Sequence, residues 1–334
     1  MTAPLDVQGS ATEAQPESVL SGVDAKAIEG RSLGQIAWMR LKRDKVAMAG
    51  GIIVLLLLLL ALFAGPLTSL YGQGPYAFHS HQIDVNLGTP KGDFGGISWT
   101  HLFGVEPING RDIFARILYG AQISMMIAFL ATGVSVLIGV VVGVVAGYFG
   151  GIVDQFLSRL MDLLLAFPLL LFAIALVAVL GDYKFLFLSA DQTRVMLLVV
   201  IIGFFNWPYI GRIIRGQTLS LREKEYVEAA RSLGAGNTRI LFRELLPNLV
   251  GPILVYSTLI IPTNILFEAA LSFLGVGVRI PRPSWGGMLS DAVQYYTIDP
   301  MYMLVPGLAI FITVMAFNLF GDGLRDALDP RSNR

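Results

Sequence analysis

The sequence predicts an all-α membrane protein with six transmembrane helices. Three observations predict it: 54% of its 334 residues are hydrophobic, only 14% are charged, and the uncharged runs recur at bilayer length. A soluble domain carries roughly a quarter charged residues. A mean hydropathy of +0.66 points to surface that faces lipid. Formal net charge is zero, so there is no basic excess to indicate nucleic acid. The chain has no Cys, which excludes disulfides, thiol nucleophiles and Cys-ligated metals.

Taken from the N-terminus, residues 1–30 are rich in Ala, Ser, Glu, Gln and Pro and hold no apolar core segment. They read as a disordered cytoplasmic tail rather than a cleavable signal. Residues 31–68 read as an elbow helix followed by the first crossing. In the elbow, Leu33, Ile36, Ala37 and Leu41 share one helical face, and Arg40, Lys42, Arg43 and Lys45 cluster at the membrane end. Trp38 suits headgroup depth. A basic stop to translocation explains the same residues.

A helix needs about 20 apolar residues to cross the hydrocarbon core. Runs of that order occur at Val46–Leu67, Ile117–Val153, Leu163–Gly181, Val195–Gly211, Leu245–Phe267 and Met301–Gly321. The second exceeds one crossing, and its excess is expected in the interface. The fourth is short, so Thr193, Arg194 and Arg212 are expected to complete it by snorkelling. Residues 69–116 form an extracytoplasmic loop, residues 117–325 a core of five crossings, and residues 326–334 a cytoplasmic tail. With the N-terminus in the cytoplasm, the inner segments hold 17 Lys and Arg and the outer segments seven. That bias places both termini inside.

The most informative loop is 218–246, between the fourth and fifth crossings. Its residues Glu225-Tyr-Val-Glu-Ala-Ala-Arg-Ser-Leu-Gly234 read as a helix stopped by Gly234. Asn237 or Thr238 is expected to cap a second helix, and Pro247 suits the opening turn of the fifth crossing. Ala229 and Ala230 offer a flat patch for close approach. Tyr226, Leu233 and Phe242 are candidate apolar anchors, ringed by Glu225, Glu228 and Arg231. An amphipathic loop resting on the membrane fits the residues alone equally well.

Glu228-Ala-Ala, Gly234 and Leu246-Pro247 resemble the EAA loop of bacterial ABC importer permeases. The match is in letters, spacing and position, with Glu244 standing where the general pattern has an aliphatic residue. Phe103-Gly-Val-Glu-Pro-Ile-Asn-Gly-Arg-Asp112, with its continuation to Ser124, is similar to the dipeptide, oligopeptide and nickel permeases, although Gly104-Val-Glu106 replaces their Gly-Thr-Asp. Glu268-Ala-Ala-Leu-Ser-Phe-Leu-Gly-Val-Gly277 and Pro281-Arg-Pro-Ser-Trp-Gly-Gly-Met-Leu289 resemble the same group, and the elbow resembles the N-terminal extension of its C-type subunits. The likeness spans about 31–330. It implies the type I importer permease fold in a bacterial plasma membrane, with peptides as cargo. It also implies partners: a second homologous permease, two cytoplasmic ATPases and an extracytoplasmic solute-binding protein. The loop would be the helix that couples to an ATPase.

No Gly-x-x-x-x-Gly-Lys-Ser/Thr occurs, so no P-loop cradles phosphates here. The chain is expected to hold no cofactor and no catalytic residue, with ATP and Mg bound by the partner ATPases. Nickel chelates, glutathione or another small solute are alternative cargoes. An ion-coupled secondary transporter is an alternative class, and a non-transporting scaffold a third.

Several polar residues are candidates for a pathway or gate. Glu268 lies deepest among the acids, and Asn206, Asn264 and Asn318 lie in the fourth, fifth and sixth crossings. Each serves equally as hydrogen-bonding glue between helices. Pro208 and Pro262 mark potential bends. Arg159 and Asp162, three apart, are placed to pair, while Arg111 and Asp112 read as bracing the outer mouth. His79 and His81 alone make a poor metal site, and no metal is expected. Trp285, Tyr295, Tyr296 and Tyr302 read as an interfacial aromatic belt, with Ser284–Thr297 a short helix along the membrane.

Overall fold

The computed structural model describes residues 33–181, 183 and 188–329. The expected tail at 1–30 and the last five residues of 326–334 lie outside these. The described residues are helical, joined by loops and short turns. Helix α1 (Leu33–Arg43) precedes α2 (Lys45–Leu62) and α3 (Ala64–Tyr71), and the outer loop then leads to α4 (Ile113–Phe149). Next come α5 (Gly151–Ala166), α6 (Leu169–Leu180), α7 (Ala190–Arg222) and α8 (Glu225–Ser232). A turn, α9 (Asn237–Arg239), and a wide π-type turn, Ile240–Leu245, run into α10 (Leu246–Phe273). The chain closes with α11 (Trp285–Ala292) and α12 (Pro300–Leu328). Five helices are long and apolar enough to cross a membrane, and α5 with α6 makes a sixth if the bent pair is one crossing.

That bent pair departs from the expected straight third crossing. The two helices meet at 78°, because Pro168 has no N–H to continue the ladder and forces Phe167 into an extended conformation, with ψ of 132°. The second run forms most of one 37-residue helix, α4, about 55 Å long at 1.5 Å per residue. It ends at Gly150, whose φ of +67° reverses the chain into α5.

The tightest helix pair is α4 against α7. A Cβ at Gly143 would stand 2.6 Å from the Gly211 carbonyl oxygen, and one at Gly139 would stand 2.7 Å from the Ile210 Cβ. Small residues one turn apart therefore let the two backbones touch, the usual device where lipid supplies no hydrophobic drive between helices. Above this seam, Ile127, Ala131, Leu198, Ile202 and Leu271 pack with Ala173 and Val177 of α6. On the other flank, α12 packs against α2 and α10, with Val54, Ala128, Ile265 and Phe317 buried between them. Helix α1 inserts Ala37 and Leu41 beside Ala47 and Ala327. Asp44 caps α2 by accepting from the N–H groups of Val46 and Ala47 at 2.9 and 3.0 Å. Trp38 faces outward with Lys42 Nζ 5.0 Å above its ring.

The fourth crossing is not short. Helix α7 has 33 residues, and Thr193 and Arg194 are buried rather than snorkelling. Arg194 Nη1 donates to the Gly277 carbonyl at 3.4 Å, which anchors the 275–283 loop to the start of α7. Capping by Ser189 and Gln192 explains the earlier start: each side chain accepts from the other's backbone N–H.

Candidate coupling and pathway sites

Loop 218–246 projects from the end of the bundle opposite α11. Helix α8 is held by one apolar residue: Val227 is fully buried against Tyr148, Ile240 and Leu245. Its other face is open. Glu225, Glu228, Ala229 and Arg231 are exposed, Ala230 is half-buried, and Tyr226 is 39% accessible. Burial, with Glu244 nearby, pushes the Tyr226 hydroxyl above its ordinary range. Gly234, at φ +79°, turns the chain out of α8. Leu233 beside it is 89% accessible and Phe242 66%. Two large apolar side chains, one at the end of α8 and one in the π-type turn, are thus uncovered by this subunit.

Asn237 does not cap the following turn. Gly236 occupies the cap position without a side chain, and Asn237 Oδ1 accepts from the Tyr148 hydroxyl at 2.8 Å. That bond ties the loop to the end of α4. Pro247 opens α10, in the first turn where no N–H is needed. Val227 and Tyr148 carry the attachment, and neither stood out in the sequence. The signal was present in Val227, the apolar position among polar neighbours in Tyr226–Glu228.

Mid-bundle, a relay of amides joins three helices. Asn206 Nδ2 donates to Asn264 Oδ1 at 2.9 Å, and Asn264 Nδ2 donates to Thr132 Oγ1 at 2.8 Å. Asn264 is fully buried and Asn206 half-buried. Glu268 is fully buried as well. Ser272 Oγ donates to its Oε1 at 2.7 Å, with Ser124 and Ser284 also beside the carboxylate. Asn264 and Glu268 thus face their own subunit and hold α4, α10 and the α11 loop together. Asn318 stands apart, exposed on α12. Pro208 and Pro262 both lie inside continuous helices, α7 and α10.

At the end of the bundle opposite loop 218–246, charges are buried in a compact cluster. Glu106 pairs with Arg111, and its Oε2 lies 3.1 Å from Arg116 Nε. Tyr302 donates its hydroxyl to the same Oε2 at 3.3 Å. All four residues are at most 4% exposed. Asp112 accepts from Ala115 N–H at 2.7 Å, which caps α4, and lies 2.8 Å from His101 Nδ1. Tyr71 donates to Asp112 at 3.2 Å. Burial pushes the Tyr71 hydroxyl up to about 12, so it stays a donor. His79 contacts the Gly110 carbonyl at 2.9 Å and stacks edge-on with His101 at 4.7 Å. No group of metal-ligating side chains forms among the described residues.

Two of the four expected belt aromatics are therefore internal. Trp285 is 1% exposed and donates its indole N–H to the Ile117 carbonyl at 3.1 Å, and Tyr302 serves Glu106. Tyr296 remains exposed. The expected short helix in Ser284–Thr297 is α11, which packs against α10, α12 and α4. A buried indole N–H and a buried phenol O–H each need an acceptor, and both were supplied from sequence-distant segments.

The comparisons with known proteins agree with this architecture. Residues 139–334 match the family described as the binding-protein-dependent transport system inner membrane component. Residues 32–88 match the N-terminal TM domain of oligopeptide transport permease C. The chain belongs to the binding-protein-dependent transport permeases. It is 41% identical over 295 residues to a dipeptide transport system permease protein of Alkalihalophilus pseudofirmus, covering 88% of this chain and 89% of the relative. It is 44% identical over 294 residues to a glutathione transport system permease protein of Salmonella typhimurium, with the same coverage. The fold also resembles the inward-facing MetNI methionine ABC transporter. There, 98% of that chain and 65% of this one superpose with a TM-score of 0.50 at 20% identity.

The permease is thus a membrane-embedded transport subunit of an ABC importer with the type I fold, a class that works with ATPases and a binding protein. Family membership sets aside the ion-driven and scaffold alternatives. On the coupling-loop side, the permease carries a second set of charges. Asp154 and Asp162 of α5 pair with Arg215 and Arg212 of α7. Arg222 Nη1 donates to the Gly147 carbonyl at 3.0 Å. Asp162 therefore pairs with Arg212 rather than with Arg159. Along α5 the base precedes the acid, the weaker order for a pair on one helix.

Proposed function

We propose that this permease imports short peptides through a pathway shared with a second, homologous permease, using alternating access driven by separate ATPases. The observation that carries the reading is the exposed face of α8 and its turn. Leu233, Phe242 and Tyr226 stand around Ala229 and Ala230 as anchors around a flat floor, suited to a groove in a motor subunit. Two ATPase copies would each grip one permease, and an extracytoplasmic binding protein would deliver cargo. The positive-inside bias supports cytoplasmic termini and a cytoplasmic coupling loop.

ATPase closure would push α8, and Val227 with the Tyr148–Asn237 bond would pass that displacement to α4. The bent α5–α6 crossing is the element least enclosed by its own subunit. Ile152, Phe156 and Leu163 are exposed along α5, on the side where a second permease or lipid would lie. Asn206 and Asn318 are the candidate amides with surface access, and they are proposed to line the shared pathway.

Peptide cargo rests on the likeness to the dipeptide permease. Glutathione is the second reading, because relatives named for it are equally similar. Uptake of labelled dipeptide and of glutathione into vesicles holding the complete importer separates the two. Failure of the permease to co-purify with any P-loop ATPase would refute the coupling assignment.

A further inference from the structure

At the outer end, a partly open pocket of about 300 Å³ lies between the start of α4, the 275–284 loop and α11. Arg116, Arg279, Arg282 and Asp291 are the charged residues of its lining, among Ser272, Ser284 and Ser290. Arg116 shares the Glu106 carboxylate with Arg111. Arg282 and Asp291 are different: both are half-buried, and neither forms an ion pair with a described residue. Two opposite charges thus line one concavity with no ion pair between them. A volume at the small end of ligand sites suits a guest of few atoms.

We infer that this pocket holds a short zwitterion, its carboxylate on the Arg282 guanidinium and its ammonium on the Asp291 carboxylate. A guanidinium fork matches a carboxylate in a bidentate pair, and a half-buried carboxylate gains most from a cation that replaces lost water. Burial and the neighbouring Glu106 push the Asp291 carboxyl above its ordinary range, and an ammonium guest restores its charged form. The inference rests on the peptide reading and deepens it: cargo with both termini free would pause here at the outer end. The same chemistry occurs in a phosphoethanolamine lipid headgroup, so the experiment must separate the two sources.

The test uses the complete importer in vesicles containing phosphatidylethanolamine, with saturating binding protein. Three probes are compared: alanyl-alanine, its N-acetyl form and its C-terminal amide. Arg282→Gln is expected to slow uptake of the free dipeptide about tenfold, the loss of one charge-assisted bond, and to leave the amide at the unsubstituted rate. Asp291→Asn is expected to do the converse, leaving the N-acetyl probe unaffected. Co-purification of each variant with the ATPases at normal yield controls for folding, and Arg282→Lys is expected to recover part of the rate. Unsubstituted rates for all probes in both variants would overturn the pocket assignment while leaving peptide import standing. Absence of dipeptide uptake by the unsubstituted importer would overturn the peptide reading beneath it. An equal loss for all three probes, reproduced by exchanging phosphatidylethanolamine for phosphatidylcholine, would give the pocket to a lipid and overturn the cargo assignment.

Discussion

The two ends of this bundle use charge in opposite ways. At the outer end, Glu106, Arg111, Arg116 and Asp112 are almost wholly buried and tied to a helix start, a loop and Tyr302. At the coupling end, Arg212 and Asp162 are about half exposed, at 52% and 53%, and Arg215–Asp154 lies between those extremes. Buried pairs are costly to break because the surviving charge has no water. Exposed pairs exchange partners cheaply. The buried cluster therefore fixes geometry, whereas the pairs between α5 and α7 can part and re-form at little cost.

The sharpest way to break this contrast is Glu106→Gln. It leaves two buried arginines without their acid, and the expected loss is about 3–5 kcal/mol of stability. A drop in the unfolding temperature of the detergent-solubilised importer checks it. Gly143→Leu forces α4 off α7 at the Gly211 carbonyl and is expected to cost about 1–3 kcal/mol. Recovered yield and melting temperature report it, and a normal melt would mean that the seam yields freely.

Phe242→Ala is expected to leave subunit stability unchanged and weaken ATPase attachment by about 2 kcal/mol, roughly thirtyfold. Titration of the ATPase against the permease pair measures this, and undiminished affinity would show that the exposed face is not the grip. Asp162→Asn should give the smallest change, below about 1 kcal/mol in stability. Its effect should appear in the salt dependence of transport rate instead. A stability loss matching that of Glu106→Gln would erase the distinction between the two ends.

Much of the fold was legible because hydropathy and period are local quantities. The apolar runs located the five long apolar helices but only the second half of the bent crossing, and Gly234 and Pro247 marked a loop that ends one helix and begins another. The bend at Phe167–Pro168 was also written locally, in a proline inside an apolar run, but hydropathy averages over such a break. The outer site was far less legible. Glu106 looked like a departure from a pattern, yet Arg111 and Arg116 follow it at spacings of five and ten, and burial makes them one unit. Trp285 and Tyr302 misled because an aromatic with a polar tip suits an interface and a buried hydrogen bond equally well.

By itself, the amino-acid order determined an all-α chain of five apolar helices and a bent sixth crossing, because bilayer length and turn residues each act within a few turns of helix, and its permease type was legible only through the likeness of its EAA loop. Which charges meet was decided only by tertiary structure. Asp162 finds Arg212 across 50 residues, and Glu106 finds Tyr302 across 196. Such partners are chosen by the packing of whole helices, and no local pattern encodes the distance between them.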